Sequence, residues 1–142
     1  MITQEDTQVL TTNKPLAEGL TTGKHVLLVE DDRSLRRYLE VIIERAGYDV
    51  LSAEDGLEAM KILLTAQVDI VVTDAMMPNL NGHELCRFLR SSAQFSQIPI
   101  VLLSALEQTE ATRDSQTVNA FLAKPISAPE LIRCLAELTS GC

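Results

Sequence analysis

Ile70-Val71-Val72-Thr73-Asp74-Ala75-Met76-Met77-Pro78 is an apolar run that stops at a carboxylate and gives way to a loop. Val26-Leu27-Leu28-Val29-Glu30-Asp31-Asp32 has the same form, with three acids at its end. If the two runs are neighbouring parallel strands, their tips gather several carboxylates at one edge of a sheet. Packed like charges repel, so such a cluster is tolerable only with a cation or a buried proton. The two stretches therefore predict a sheet and a site together.

Outward from these runs, strands and helices alternate from Lys24 onward. Strand one is expected at 25–29, and helix one at 33–46, with Leu35, Leu39, Ile42, Ile43 and Ala46 at helical spacing before Gly47. Strand two is Asp49 to Ala53, and helix two follows from the capping Asp55 to about Thr65. Strand three covers 69–73, helix three runs to about Arg90 with Leu85, Phe88 and Leu89 inward, and strand four is Pro99 to Leu103. A weaker helix four is expected at 107–117, strand five at 119–123, and helix five from the Ser127 cap, with Pro129 in its first turn, to Leu138. Five βα units with continuous apolar strands indicate an α/β fold, a parallel sheet covered by helices on both faces. Sites in such sheets form beyond the carboxyl ends of the strands, where strand order reverses.

Composition narrows the function. The 142 residues are 46% hydrophobic and 23% charged, a globular balance suited to one domain. A formal charge of −8 argues against direct nucleic-acid binding, which needs clustered cations. No apolar stretch approaches bilayer-spanning length and the N-terminus lacks a signal pattern, so a cytoplasmic protein without membrane contact is expected. Cys86, Cys134 and Cys142 form no Cys-x-x-Cys pair, which fits reduced packing or surface thiols. Residues 1–23 show neither helical nor strand period and read as a flexible arm, leaving 24–142 as the domain. Gly19 to His25 is no phosphate loop, because the glycine spacing is wrong and the stretch precedes its strand.

The expected strand ends supply Glu30, Asp31, Asp74, Ser104 and Lys124 at one edge. Each alone has an ordinary reading as a cap, a loop acid, a hydroxyl or a solvated cation. Their coincidence is what points to a site. The segments Val26-Leu27-Leu28-Val29-Glu30-Asp31-Asp32, Thr73-Asp74-Ala75-Met76-Met77-Pro78, Leu103-Ser104-Ala105 and Phe121-Leu122-Ala123-Lys124-Pro125 resemble the receiver domain of two-component response regulators. The resemblance runs from Lys24 to the C-terminus with every signature in order. It implies a flavodoxin-like (βα)5 sheet of order 2-1-3-4-5, a Mg²⁺ ion, and phosphorylation of Asp74 by a partner phosphohistidine on a histidine kinase or phosphotransfer protein. It further implies metal ligation by Asp31, Asp74 and the backbone carbonyl of Met76, with Glu30 acting through water. Lys124 and Ser104 would hold the phosphoryl oxygens, and Phe121 would turn inward as Ser104 moves. The Lys124-Pro125 bond is cis in this family. The output would be a protein contact through the helix 4, strand 5 and helix 5 face. The implied protein is a stoichiometric phosphoacceptor in a phosphorelay and not a turnover enzyme.

Three departures qualify the resemblance. Met76 and Leu106 stand two residues beyond Asp74 and Ser104, where relatives often carry polar groups that orient the hydrolytic water; slow autodephosphorylation is expected. The stretch from Ser104 to Lys124 is short, and Val118-Asn119-Ala120 replaces the usual glycine before strand five, so the family's common homodimer is not assumed. Asn81-Gly82 replaces the usual Asp-Gly, with little consequence expected. Two other functions compete. A haloacid-dehalogenase-type phosphatase needs a second acid where Met76 stands, and Met76 transfers no proton. A phosphorylation-independent pseudo-receiver typically loses an acid or the lysine, and this chain keeps them all. The sequence ends soon after helix five, which leaves a stand-alone receiver and a domain of a larger protein both open.

Overall fold

The computed structural model describes residues 21–77, 81–105 and 118–140. Its described elements are β1 (His25–Val29), α1 (Arg33–Arg45), β2 (Asp49–Ala53), α2 (Gly56–Thr65), β3 (Ile70–Asp74), α3 (Gly82–Ser91), β4 (Ile100–Ser104), β5 (Ala120–Ala123) and α4 (Ala128–Thr139). Helix four of the sequence reading, at 107–117, lies outside the described residues, so α4 is the helix expected as fifth. The arm expected at 1–23 also lies largely outside them, as do Leu106 and Cys142.

All pairings are parallel, and the strand order is β2-β1-β3-β4-β5, the 2-1-3-4-5 order of a flavodoxin-like sheet. Order reverses between β1 and β3. Their register, Val29 opposite Thr73, sets Glu30 beside Asp74 where the ladder ends. Asp74 pairs with Leu103 and Ser104 with Ala123, so Ser104 and Lys124 come to the same edge. Strands three and four extend one residue further than expected, to Asp74 and Ser104. The ladder is made by backbone groups, so a polar side chain does not end it.

The apolar strands divide their side chains between two cores, as a period of two requires. Leu27, Val29, Val71 and Leu102 pack with Ala59 and Leu63 of α2 and Leu85 and Leu89 of α3. Val26, Leu28, Val72 and Leu103 pack with Leu39 and Ile43 of α1 and Leu131 and Leu135 of α4. Both faces are covered, which is why β3 and β4 are buried throughout. Each fully buried Leu, Ile or Val contributes about 1.5–3 kcal/mol relative to exposure.

Caps fix the helix starts. Asp32, Asp55 and Ser127 accept N–H bonds from Leu35, Glu58 and Glu130, as the sequence suggested for Asp55 and Ser127. Asn81 and Glu84 form a reciprocal capping box at α3. Gly47, with φ 101°, closes α1 in a left-handed turn that a side chain would strain. The Lys124–Pro125 peptide is cis. Among the described residues no helix is long and apolar enough to cross a membrane.

Candidate functional site

The carboxyl edge of β1, β3, β4 and β5 brings the residues singled out in the sequence together. Glu30, Asp31 and Asp74 each offer a carboxylate oxygen within 4.8 Å of the others. Glu30 and Asp74 are buried, while Asp31 is exposed, so the cluster is a shallow acidic cup. Lys124 Nζ lies 2.9 Å from Asp74 Oδ1 and 3.8 Å from Glu30 Oε1. Ser104 is buried beside them at the tip of β4, its hydroxyl donating to the Ala105 carbonyl at 3.1 Å.

Burial and charge act differently on the two partners of Asp74. Desolvation pushes the Glu30 carboxyl up to about 7; its bond from the Asp32 N–H opposes this, and the neighbouring Asp74 charge adds to it. Burial alone would lower the Lys124 ammonium. The hydrogen bond and charge of Asp74, then Glu30 and Asp31, outweigh burial and raise it. The lysine therefore stays cationic, and one acid is close to holding a proton at neutral pH.

Glu30 Oε1 is buried without a hydrogen-bond partner, while Oε2 accepts from the Asp32 N–H at 3.1 Å. An orphaned carboxylate oxygen in a cup of three acids fits a hard cation, since Mg²⁺ takes oxygen ligands and commonly one or two carboxylates. The donor set thus suits the metal that the resemblance implied.

The remaining residues fall into place unevenly. Met76 is 55% exposed just past the acidic cup, and Phe121 is 38% exposed on β5. An ordinary core position for Phe121 is therefore not what the fold gives it. Cys86 is buried in α3 as packing, and Cys134 is half-buried.

Several supporting residues escaped the sequence reading. Arg36 donates from Nη1 to the Glu30 carbonyl at 2.8 Å and lies 3.9 Å from Glu54, tying α1 to the acidic loop. Asp32 has two roles, capping α1 with its side chain and orienting Glu30 with its N–H. Thr73 donates to the Asp74 carbonyl at 3.1 Å, and the Ala75 N–H donates to Leu103. Only the acidic cap of α1 left a signal in the sequence; the Thr73 bond is local but has no residue-type pattern, and the Arg36 and Ala75 bonds depend on contacts between elements.

Comparison with known proteins agrees with this geometry. The response regulator receiver domain model matches residues 26–136. A probable transcriptional regulator, ycf27, of Porphyridium aerugineum is 38% identical over 108 residues, covering 75% of this chain and 44% of that protein. The chain thus spans less than half of that relative's length. The solved receiver domain of Francisella response regulator 1452 superposes with a TM-score of 0.76 at 33% identity, over 83% of this chain and 98% of the other. Response regulator TrrA of Thermotoga maritima, solved in complex with Mg²⁺-BeF, gives a TM-score of 0.74 at 27% identity over 81% of this chain and 98% of its own. With its strand order, its acidic edge and a family match spanning most of its length in agreement, the chain belongs to the response regulator receiver domain family.

Proposed function

We propose that the chain is a phosphoacceptor whose acceptor group is the Asp74 carboxylate, within a receiver domain of residues 24–142. The observation that carries this is the ion pair of Asp74 with Lys124 at 2.9 Å, inside a cup shared with Glu30 and Asp31. A buried carboxylate already held by a cation is oriented toward one position, which is what in-line transfer requires.

Asp31, Asp74 and the Met76 carbonyl would hold Mg²⁺, with Glu30 reaching it through water. When bound, the ion supplies positive charge that offsets repulsion between the acids and an incoming phosphoryl group. A relative solved with Mg²⁺-BeF supports that assignment. An Asp74 oxygen forms the new O–P bond while the N–P bond of the donor phosphohistidine breaks, its electron pair leaving on the imidazole nitrogen. Lys124 holds one phosphoryl oxygen as a point charge, and Ser104 exchanges its bond to the Ala105 carbonyl for a bond to another. That exchange moves the tip of β4, and Phe121, now partly exposed, turns inward on the adjacent strand. The donor is a histidine kinase or histidine phosphotransfer protein. The recipient is a protein that reads the changed face around β5 and α4, in the cytoplasm.

Acetyl phosphate with Mg²⁺, read by intact mass, tests the proposal. Wild type is expected to gain one phosphoryl group, and Asp74→Asn and chelator-treated protein to gain none. Continuous phosphate release would mark an Asp-nucleophile hydrolase instead. No incorporation by wild type would mark an interaction module that works without phosphorylation.

A further inference from the structure

We infer that Gly82 is a positioning residue for Asp74: the space left by its missing side chain holds the Asp74–Ala75 peptide, and with it the Met76 carbonyl, in the site. The inference rests on the proposed function and adds a residue to it.

Gly82 opens α3, and its backbone makes no special demand, since the positive φ angles among the described glycines fall at Gly23 and Gly47. Helix propensity alone would favour alanine there. Space does not. A Cβ on Gly82 would overlap the Asp74 carbonyl oxygen and lie 3.0 Å from both Ala75 Cα and the Asp74 carbonyl carbon. These are backbone atoms, so no side chain can swing aside to relieve the contact.

Neither partner has room to withdraw. The Asp74 carbonyl accepts from Thr73 Oγ1 at 3.1 Å, and the Ala75 N–H donates to the Leu103 carbonyl at 2.9 Å, which fixes this peptide against β4. On the other side, the Gly82 N–H donates to the Ala75 carbonyl at 3.1 Å. The Asn81 and Glu84 capping bonds, each 2.9 Å, hold the first turn of α3 in place. A methyl group at position 82 must therefore tilt the Asp74–Ala75 peptide or lift α3 and break its bond to Ala75. Both movements pass directly to Met76, one residue along, and to the Asp74 carboxylate.

Calorimetric titration with Mg²⁺ separates positioning from helix stability. Gly82→Ala is expected to weaken Mg²⁺ binding by about tenfold or more, the usual scale for disturbing the support of a metal ligand. Asn81→Ala removes the cap without adding bulk, so it should lower the thermal midpoint while keeping Mg²⁺ affinity close to wild type. Wild-type affinity in Gly82→Ala, or an equal loss in Asn81→Ala, would overturn the inference while leaving the phosphoacceptor reading intact. Absence of Mg²⁺ binding by wild type would overturn both. A measurement on wild type covers the case in which Gly82→Ala does not fold. The Gly82 amide resonance should shift during Mg²⁺ titration together with that of Met76, and a Gly82 signal that stays still while Met76 moves counts against the inference.

Discussion

Met76 is where the lifetime of the proposed phosphoryl-aspartate can be tested at a single side chain. It stands two residues past Asp74, exposed, with a thioether in place of a hydrogen-bonding group. In the proposed phosphoryl-aspartate, an attacking water would find no hydrogen-bonding side chain there, and Leu106 offers none from its sequence position two beyond Ser104. Replacing the pair, Met76→Asn with Leu106→Glu, should speed loss of phosphate about tenfold, the rate equivalent of one charge-assisted hydrogen bond of about 1.5 kcal/mol. Following the phosphorylated species by mass after chelation measures this, and an unchanged decay rate would show that neither position governs the water. The acids and the lysine were legible in the sequence because each ends an apolar run. Gly82 was not, because its importance lies in a steric contact with a backbone eight residues earlier, which no pattern of residue types records.

Among the elements, the junction of α3, β4 and β5 is tied by the side chain of Asn119. Its Oδ1 accepts from the Ile100 N–H at 2.8 Å and from Arg90 Nη2 at 2.9 Å, and its own N–H donates to the Ile100 carbonyl at 2.9 Å. Arg90 also donates to the carbonyls of Ser96 at 3.1 Å and Ile98 at 2.8 Å, so one guanidinium ties the end of α3 to the loop before β4. Asn119→Gly would leave the part-buried Ile100 N–H without its partner. A loss of about 1–3 kcal/mol is expected. Urea denaturation monitored by circular dichroism should show an earlier midpoint with an unchanged slope. A midpoint equal to wild type would mean that water replaces the amide at no cost.

At the scale of the molecule, the acidic edge is a place where the fold gives up stability for function. Glu30 has a carboxyl near 7 in the folded chain against an ordinary value of 4.5. A folded value above the unfolded one means that the stabilising contribution is full below about 4.5 and disappears as pH rises through about 7. Without divalent cations, the protein should therefore lose stability from Glu30 between about pH 4.5 and pH 7, by up to roughly 3 kcal/mol for a shift of this size. The raised Lys124 follows the same sign, but its loss falls far above this window, beyond its ordinary 10.5. Glu30→Gln cannot titrate and should flatten the fall in thermal midpoint over that range. A variant that keeps the wild-type slope would place the pH dependence elsewhere.

The sequence by itself determined the alternation of strands and helices, the caps at Asp55 and Ser127, and the placement of Glu30, Asp31, Asp74, Ser104 and Lys124 at strand ends. These follow from local periodicity and from the backbone bonds that short polar side chains satisfy. The sequence's resemblance to a known family also carried the strand order 2-1-3-4-5, which the sheet adopts. The tertiary structure alone decided the 2.9 Å approach of Lys124 to Asp74, the orphaned oxygen of Glu30, and the need for bare space at Gly82. Each of these depends on how separate elements are brought together, set by how two hydrophobic faces of one sheet are covered at once.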